Sequence, residues 1–362
     1  MTANQTPENP TTPDKPRRKV PRTRLGRIVH RALWCASWLA ALALVPLCAA
    51  WLFAGAGFEV DLAANLTAQS ALAALLLALW WLVRRRWARL GVAAACAALA
   101  MAGVVAAPRA ARAGAPADTA RIVRVLTMNA YAWNRDPAGL MALLDTTDAD
   151  VVTILEPPTE LLQGMRASAS LQAKYPYRQL PEHAEAGARI MLSRWPVERL
   201  RRREVPGEPN EPDWRYHGRS WRVDGPAPFV LSMIHPESPR NRLRWKQGNE
   251  DIEMIDHAMA NMVEPLGLPV VVAGDFNATP TGWRSRQITR TTGLRRAKPW
   301  SAPVGTWPAW SFWPARIAID DVMVSEGVRV IRWKTQTPPP DGKRGVLNSD
   351  HIPVRIDLLI PQ

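Results

Sequence analysis

Three stretches without a single charged side chain, residues 32–58, 62–83 and 90–108, occupy most of the first 108 positions of this 362-residue chain. They are 27, 22 and 19 residues long and rich in Ala, Leu, Val and Trp. A helix rises about 1.5 Å per residue, so about 20 apolar residues cross a hydrocarbon core of roughly 30 Å. All three stretches reach that length, the Ala/Gly-rich third only just. A cleaved leader has an apolar region of only about 7–15 residues and is not followed by two more. The pattern predicts three transmembrane helices, at about 32–54, 63–83 and 90–108, with the lipid bilayer as an obligatory partner.

Basic residues set the orientation. Lys15, Arg17, Arg18, Lys19, Arg22, Arg24, Arg27 and Arg31 precede the first stretch, and Arg84, Arg85, Arg86 and Arg89 lie between the second and third. The remaining loop carries only Glu59 and Asp61. Positive charge stays on the cytoplasmic side. A polar, proline-rich and basic tail (1–31) is therefore expected in the cytoplasm, and everything beyond the third helix outside it. Residues 109–120, rich in small side chains and proline, read as a flexible tether to a domain covering 121–362.

The formal charge of +14 invites a nucleic-acid reading. Its distribution argues otherwise. Residues 1–120 hold 14 Lys/Arg against 5 Asp/Glu, leaving 32 against 27 for the rest of the chain. Most of the excess is thus topogenic and lies against anionic lipid. All three cysteines, Cys35, Cys48 and Cys96, fall in the apolar stretches. That excludes disulfides, a cysteine nucleophile and a thiolate zinc site from residue 121 onward.

In that domain, 121–129 alternates and is β-branched, while 151–155 is a short continuous apolar run typical of a buried strand. Residues 188–193, 228–234, 269–276 and 318–325 repeat the strand pattern, and 136–149 and 249–263 have helical spacing. Many strands with few helices predict a layered α/β or α+β domain built on sheets. Polar groups stand where strands end: Asn129, Glu156, His235, and Asp275 with Asn277. Such positions are favoured for ligands because the sheet fixes them.

The segments LTMN (126–129), ADVVTILE (149–156), ARIMLSRWP (188–196), SMIHPESP (232–239), VVAGDFNATP (271–280), AIDDVMVS (318–325) and NSDHIPV (348–354) resemble, in order, those of the endonuclease/exonuclease/phosphatase superfamily. The tryptophan-rich run 305–322 resembles the membrane-attached bacterial branch. The resemblance implies a four-layer domain, two β-sheets packed face to face with helices outside, and hydrolysis of a phosphodiester or phosphomonoester in a nucleic acid, a lipid headgroup or another phosphate ester. It implies Mg²⁺, with Mn²⁺ as an alternative, held by Glu156 with Asp350 and Asn129 close by. Hard oxygen ligands suit such an ion. It also implies that Asp275 activates water with help from Asn277, that His351 contacts phosphate and is oriented by Asp320, and that His235 serves the leaving group or the phosphate. Two positions depart from the family pattern. Leu155 stands where a glutamine commonly precedes the metal-binding glutamate, and Asp321 follows Asp320, so a slip of one residue would exchange their roles.

Trp300, Trp307, Trp310 and Trp313 read as a packed loop, a base-stacking platform or an interfacial anchor. Arg199, Arg201, Arg202 and Arg203 read as a solvated face. The competing functional reading is a catalytically silent, membrane-bound binding or scaffold module of the same fold. Retention of the carboxylates, the Asp275–Asn277 pair and the Ser–Asp–His run speaks against it. No protein partner is legible.

Overall fold

The computed structural model describes residues 24–114, 122–184, 187–200, 218–302, 304–336 and 347–361. The start of the N-terminal tail, the end of the expected tether and residues 201–203 lie outside them.

The chain begins with helix α1 (Arg24–Ala49), continued by a 3-10 turn to Phe53, then α2 (Phe58–Ala64), α3 (Thr67–Val83) and α4 (Trp87–Ala106). Arg31–Phe53 and Trp87–Ala106 are each long and apolar enough to cross a membrane. A third crossing exists if α2 and α3, which meet at 60°, count as one. The expected straight helix over 63–83 is therefore broken. Its first residues are diverted because Asp61 and Asn65 are buried against the domain that follows. The three long helices touch through small residues, including Ala71, Ala74, Ala97 and Ala100, which let helices approach closely without relying on water to drive them together.

The second domain carries β1 (Ile122–Asn129), α5 (Ala138–Thr146), β2 (Val151–Leu155), α6 (Thr159–Ala167), α7 (Ala169–Lys174), β3 (Tyr177–Gln179), β4 (Arg189–Ser193), β5 (Val197–Arg199), β6 (Gly218–Val223) and β7 (Phe229–Ile234). Then come α8 (Arg242–Ala258), β8 (Val270–Asp275), α9 (Trp283–Thr292), β9 (Arg295–Arg296), β10 (Asp320–Val324), β11 (Arg329–Thr335) and β12 (Val354–Leu359). Two six-stranded sheets result, ordered β11-β12-β1-β2-β4-β3 and β5-β6-β7-β8-β10-β9. Each has a parallel pair near its centre, β1–β2 and β7–β8. A parallel pair needs a crossover, supplied by α5 in one sheet and α8 in the other.

Alternation sorts the strand residues into layers. Val123, Val125, Val151 and Leu155 face Trp221, Phe229, Leu231, Val271 and Val322 of the opposite sheet. On the outer face of the first sheet, Leu126, Met128, Val152 and Ile154 pack under Leu140, Leu144 and Leu161. On the second, Val230, Val272 and Phe276 pack under Ile252, Ile255 and Ile288. The domain is a four-layer sandwich, helix–sheet–sheet–helix, as the resemblance implies. Because β2, β7 and β8 are covered on both faces, they read as mostly apolar runs.

The segment leaving α4 differs from the expected flexible tether. Ala110 N donates to Arg296 O and Arg296 N to Pro108 O, at 2.9 and 3.0 Å. Ala113 N donates to Val330 O and Val330 N to Ala111 O, at 3.1 and 2.9 Å. Residues 108–113 thus lie along β9 and then β11, the outermost strands of the two sheets on one side of the sandwich. An edge strand presents unpaired backbone groups, and here the connecting segment takes them up.

Candidate active site

Register alone brings the motif residues to one end of the sandwich. Asn129 is the last residue of β1, and Glu156 follows the end of the parallel neighbour β2. In the second sheet His235 follows β7 and Asp275 ends the parallel β8. The antiparallel β10 starts there, with Asp320 opposite Asp275. The antiparallel β12 begins opposite Thr127, which places the preceding His351 beside Asn129. Asn129, Leu155, Asp275 and Asp320 all have inward parity, so their side chains meet between the sheets.

Two backbone features shape this end. Gly274 has φ of +152°, and a Cβ there would lie 2.0 Å from Ile234 O, so only glycine lets β8 approach β7 just before Asp275. Glu156 and Asn277 both have φ of 47°, the left-handed region that non-glycine residues seldom adopt. Such conformations persist where the surrounding structure holds them, and they cluster at functional sites.

The side chains form one connected network. His351 Nδ1 donates to Asp320 Oδ2 at 2.8 Å, and its Nε2 lies 3.7 Å from Asp275 Oδ2. Asn129 Nδ2 reaches Asp275 Oδ2 at 3.4 Å and joins the two sheets across the site. His235 Nε2 lies 3.3 Å from Glu156 Oε1 and 3.7 Å from Asp275 Oδ2. The backbone N–H of Asn277 donates to Asp275 Oδ1 at 2.8 Å, while its side-chain amide donates to Pro236 O at 2.9 Å. Asp350 Oδ1 lies 3.8 Å from His351 Nε2, and its Oδ2 accepts from Trp307 Nε1 at 3.0 Å. All eight residues singled out from the sequence stand together.

The structure also separates the adjacent aspartates. Asp320 faces His351, whereas Asp321, its side chain on the other face of β10, pairs with the buried Arg296. Leu155 packs in the core between the sheets and offers Glu156 no polar partner. Glu156 instead has His235 and, at 3.5 Å, the backbone N–H of Ala132.

Burial and charge set the protonation states. Burial pushes the Asp275 carboxyl up to about 7, aided by the charge of Asp320 and opposed by His351. Burial pulls His351 down, but the carboxylates of Asp320 and Asp275 outweigh it and raise the imidazole to about 10. At neutral pH, then, His351 is a cation and Asp275 is poised between its two forms.

Asp275, Asp320 and His351 have ligand-type atoms all within 4.8 Å of one another. With Nδ1 committed to Asp320 and the ring protonated, His351 has no lone pair for a metal, so this trio is better suited to proton chemistry. The oxygens of Glu156 and Asp350 fit a cation better. Each carboxylate is about a third exposed, and Asp350 Oδ1 is buried yet accepts no hydrogen bond. Hard carboxylate donors with room for water suit Mg²⁺ or Mn²⁺. Asn129 Oδ1 already accepts from Tyr131 N, which makes Asn129 chiefly a holder of Asp275.

Several contributing residues carried no clear signal in the sequence. Ser349, part of the Ser–Asp–His run but given no role in the sequence, donates from Oγ to Asn129 O at 2.7 Å and accepts from His351 N at 3.0 Å, tying the histidine loop to β1. Thr306 Oγ1 accepts from Asp320 N at 3.2 Å. Trp307, read only as one of a tryptophan group, orients Asp350.

The family model for the Endonuclease/Exonuclease/phosphatase family matches residues 126–351. No curated protein matches the chain. Similar solved structures include an endonuclease/exonuclease/phosphatase from Beutenbergia cavernae, with 19% identity, a TM-score of 0.44 and coverage of 66% of this chain and 72% of that one. A family protein from Bacteroides thetaiotaomicron has 17% identity, a TM-score of 0.45 and coverage of 67% and 98%. A mannosyl-6-phosphatase from the same organism has 17% identity, a TM-score of 0.45 and coverage of 65% and 99%. The matched segment takes in every strand-end group from Asn129 to His351 and more than half of the residues, and the chain belongs to the Endonuclease/Exonuclease/phosphatase family.

Proposed function

We propose that this chain is a membrane-anchored phosphoesterase dependent on a divalent cation, with residues 121–362 outside the cytoplasmic membrane. The observation that carries the catalytic reading is the Asp320–His351–Asp275 array, in which a buried histidine is held charged 3.7 Å from a carboxyl that titrates near neutrality. The membrane reading rests on the long apolar helices and on the basic residues of the tail and the 84–89 loop.

The residues divide the work as follows. Asp275 takes a proton from the attacking water, and its value near 7 suits a general base at neutral pH. Asn277 holds that carboxylate through its backbone N–H, and Asn129 holds the other oxygen. His351 opposes the charge that grows on the phosphoryl oxygens, and Asp320 keeps the ring oriented and protonated. His235, between Glu156 and Asp275, is placed to bind phosphate or to protonate the leaving oxygen. Glu156 and Asp350 would hold Mg²⁺ or Mn²⁺, with Asn129 at the margin. Such an ion, when bound, supplies Lewis-acid stabilisation of charge on the phosphate.

The test is hydrolysis of bis(4-nitrophenyl) phosphate by the full-length protein in detergent with Mg²⁺, alongside Glu156→Gln and His351→Ala. Dependence on the metal and collapse in both variants support the proposal. Activity unchanged by either substitution, or by a chelator, would refute it and favour the silent scaffold.

A further inference from the structure

The connection between α1 and α3 is built into the catalytic loop. Asp61 is buried and accepts from Trp283 N at 2.8 Å and from Trp245 Nε1 at 3.0 Å. Asn65 Oδ1 accepts from Thr279 N at 2.6 Å, and Thr281 Oγ1 donates to Ala64 O at 2.6 Å. A Cβ on Gly282 would lie 2.5 Å from Asn65, and one on Gly55 would lie 2.2 Å from the Trp283 ring, so the two segments interlock. Thr279 is two residues from Asn277. At no more than about 3.6 Å per residue, the catalytic motif lies within roughly 7 Å of backbone held by α2.

A second chain of contacts runs from the head of α3 to the other side of the site. Gln69 Nε2 donates to Arg316 O at 2.9 Å. The Arg316 guanidinium donates to Ala309 O and Ser311 O, at 2.9 and 2.8 Å. Ala309 N donates to Asp350 O at 2.7 Å. The loop spanned by these contacts displays Trp310, Phe312 and Trp313 at 71%, 71% and 55% exposure. Neighbouring large aromatics exposed in this way mark an interaction surface, and tryptophan favours the level of lipid headgroups. The first apolar helix ends at Phe53 and α3 begins at Thr67, so the loop is fastened where the chain leaves and re-enters the apolar region.

From this we infer that the site works at the bilayer surface on a lipid-borne phosphate ester, presented by the leaflet beside which the 307–316 loop lies and guided in by Trp310, Phe312 and Trp313. The inference rests on the phosphoesterase reading and narrows its substrate. In the reaction, water adds to phosphorus, the ester P–O bond breaks and the leaving oxygen takes up a proton. A diester gives a phosphate monoester and an alcohol, and the balance needs no further reactant. Residues 55–69 are positioning residues. They hold the catalytic loop and set the height of the site above the membrane.

The experiment reconstitutes the full chain in vesicles of equal parts phosphatidylglycerol and phosphatidylethanolamine with Mg²⁺. Headgroup or phosphate release is followed by mass spectrometry, and bis(4-nitrophenyl) phosphate hydrolysis is followed in the same vesicles. The triple variant Trp310→Ser, Phe312→Ser, Trp313→Ser should lower the ratio of lipid to soluble-ester rates at least tenfold while keeping its melting temperature. An unchanged ratio would overturn the inference. So would a wild type that hydrolyses the soluble ester, or plasmid DNA, but no lipid, and that result leaves the phosphoesterase reading standing. Failure of the wild type on both substrates sinks that reading itself. As a readout independent of turnover, Phe312→Cys carrying an environment-sensitive fluorophore, with the native cysteines changed to serine, should shift to the blue on reconstitution. No shift removes the proposed contact with lipid.

Discussion

Strand β10 separates two buried charged regions that share chemistry but not composition. On its inner face Asp320 meets His351, with Asp275, Asp350, Glu156 and His235 close by, so two imidazoles sit among four carboxylates. On the outer face Asp321 meets Arg296, with Arg109 and Lys298 also acting on the cluster, so one carboxylate sits among several cations. There burial pushes the Lys298 ammonium down to about 8. The inner region holds a carboxyl, Asp275, pushed up to about 7 beside an imidazole held charged, whereas the outer one holds the start of the sandwich against α4. Arg109 also donates to the final carbonyls of that helix, at Val104 and Ala107. Carboxylates that outnumber the imidazoles suit the inner face to the proposed proton chemistry, and an excess of cations around one carboxylate makes the outer face a joint.

The sharpest way to break this contrast is Asp275→Asn. If Asp275 is the proposed general base, its loss costs about 10²–10⁴-fold in turnover, measured as kcat on a soluble phosphodiester. Stability should move the other way. Asp275 has its folded value raised from 3.8 to about 7, so its contribution is full below about 4 and is lost as pH rises through 7. Removing the carboxylate should leave melting in chelator unchanged at pH 4 and raise it at pH 8. An enzyme that is both slower and less stable at pH 8 would show that Asp275 serves the fold instead.

The outer region predicts the opposite pairing of effects. Asp321→Asn strands the buried Arg296 and should cost about 3–5 kcal/mol in chemical denaturation. The rate per folded molecule should hold, because no catalytic group touches Asp321. A selective loss of kcat would show that the register of β10 is shifted by one residue.

How much of this was legible beforehand depends on the interaction. Strands β2, β7 and β8 were readable to within a residue because both faces are covered and their residues are mostly apolar. The edge strands β3, β5 and β9 carry two or three residues each and no pattern strong enough to separate them from loops. The eight site residues were found through motif order. The choice between Asp320 and Asp321 needed the register opposite Asp275, which is a long-range fact. Asp61 was counted only as loop polarity and Asn65 fell inside the expected helix 63–83, although a lone buried carboxylate beside apolar helices needs partners. Those partners, Trp283 and Trp245, lie more than 180 residues away. The described part of the expected tether, up to residue 114, is bound for a similar reason. Small residues and proline read as flexible, but the open edges of β9 and β11 supply backbone partners that composition cannot reveal.

Asp320→Asn tests what distinguishes the imidazole from the guanidinium. The His351 value is raised from 6.5 to about 10, so the stability it contributes is full below about 6.5 and is lost as pH rises through 10. With the amide in place of the carboxylate, the alkaline limb of the pH–rate profile should move down by more than about one unit, each unit being about 1.4 kcal/mol of differential interaction. An unmoved limb would mean that Asp275 and Asp350 alone keep the ring charged.

The smallest expected effect lies where α2 meets the catalytic loop. Asn65→Ala removes the acceptor for Thr279 N and leaves that buried donor unsatisfied, which costs about 1–3 kcal/mol. Because Thr279 follows Asn277 by two residues, the loss should fall on the geometry of the loop more than on global unfolding. Hydrogen exchange at residues 276–283 should speed up while the amides of β8 stay protected. The kcat should fall several-fold with KM for a soluble ester little changed. Asn65→Asp retains an acceptor oxygen and should recover most of the rate. If alanine and aspartate behave alike, the contact between α2 and the loop is packing alone, and the charged mouth of the sandwich would not depend on the helices that carry it.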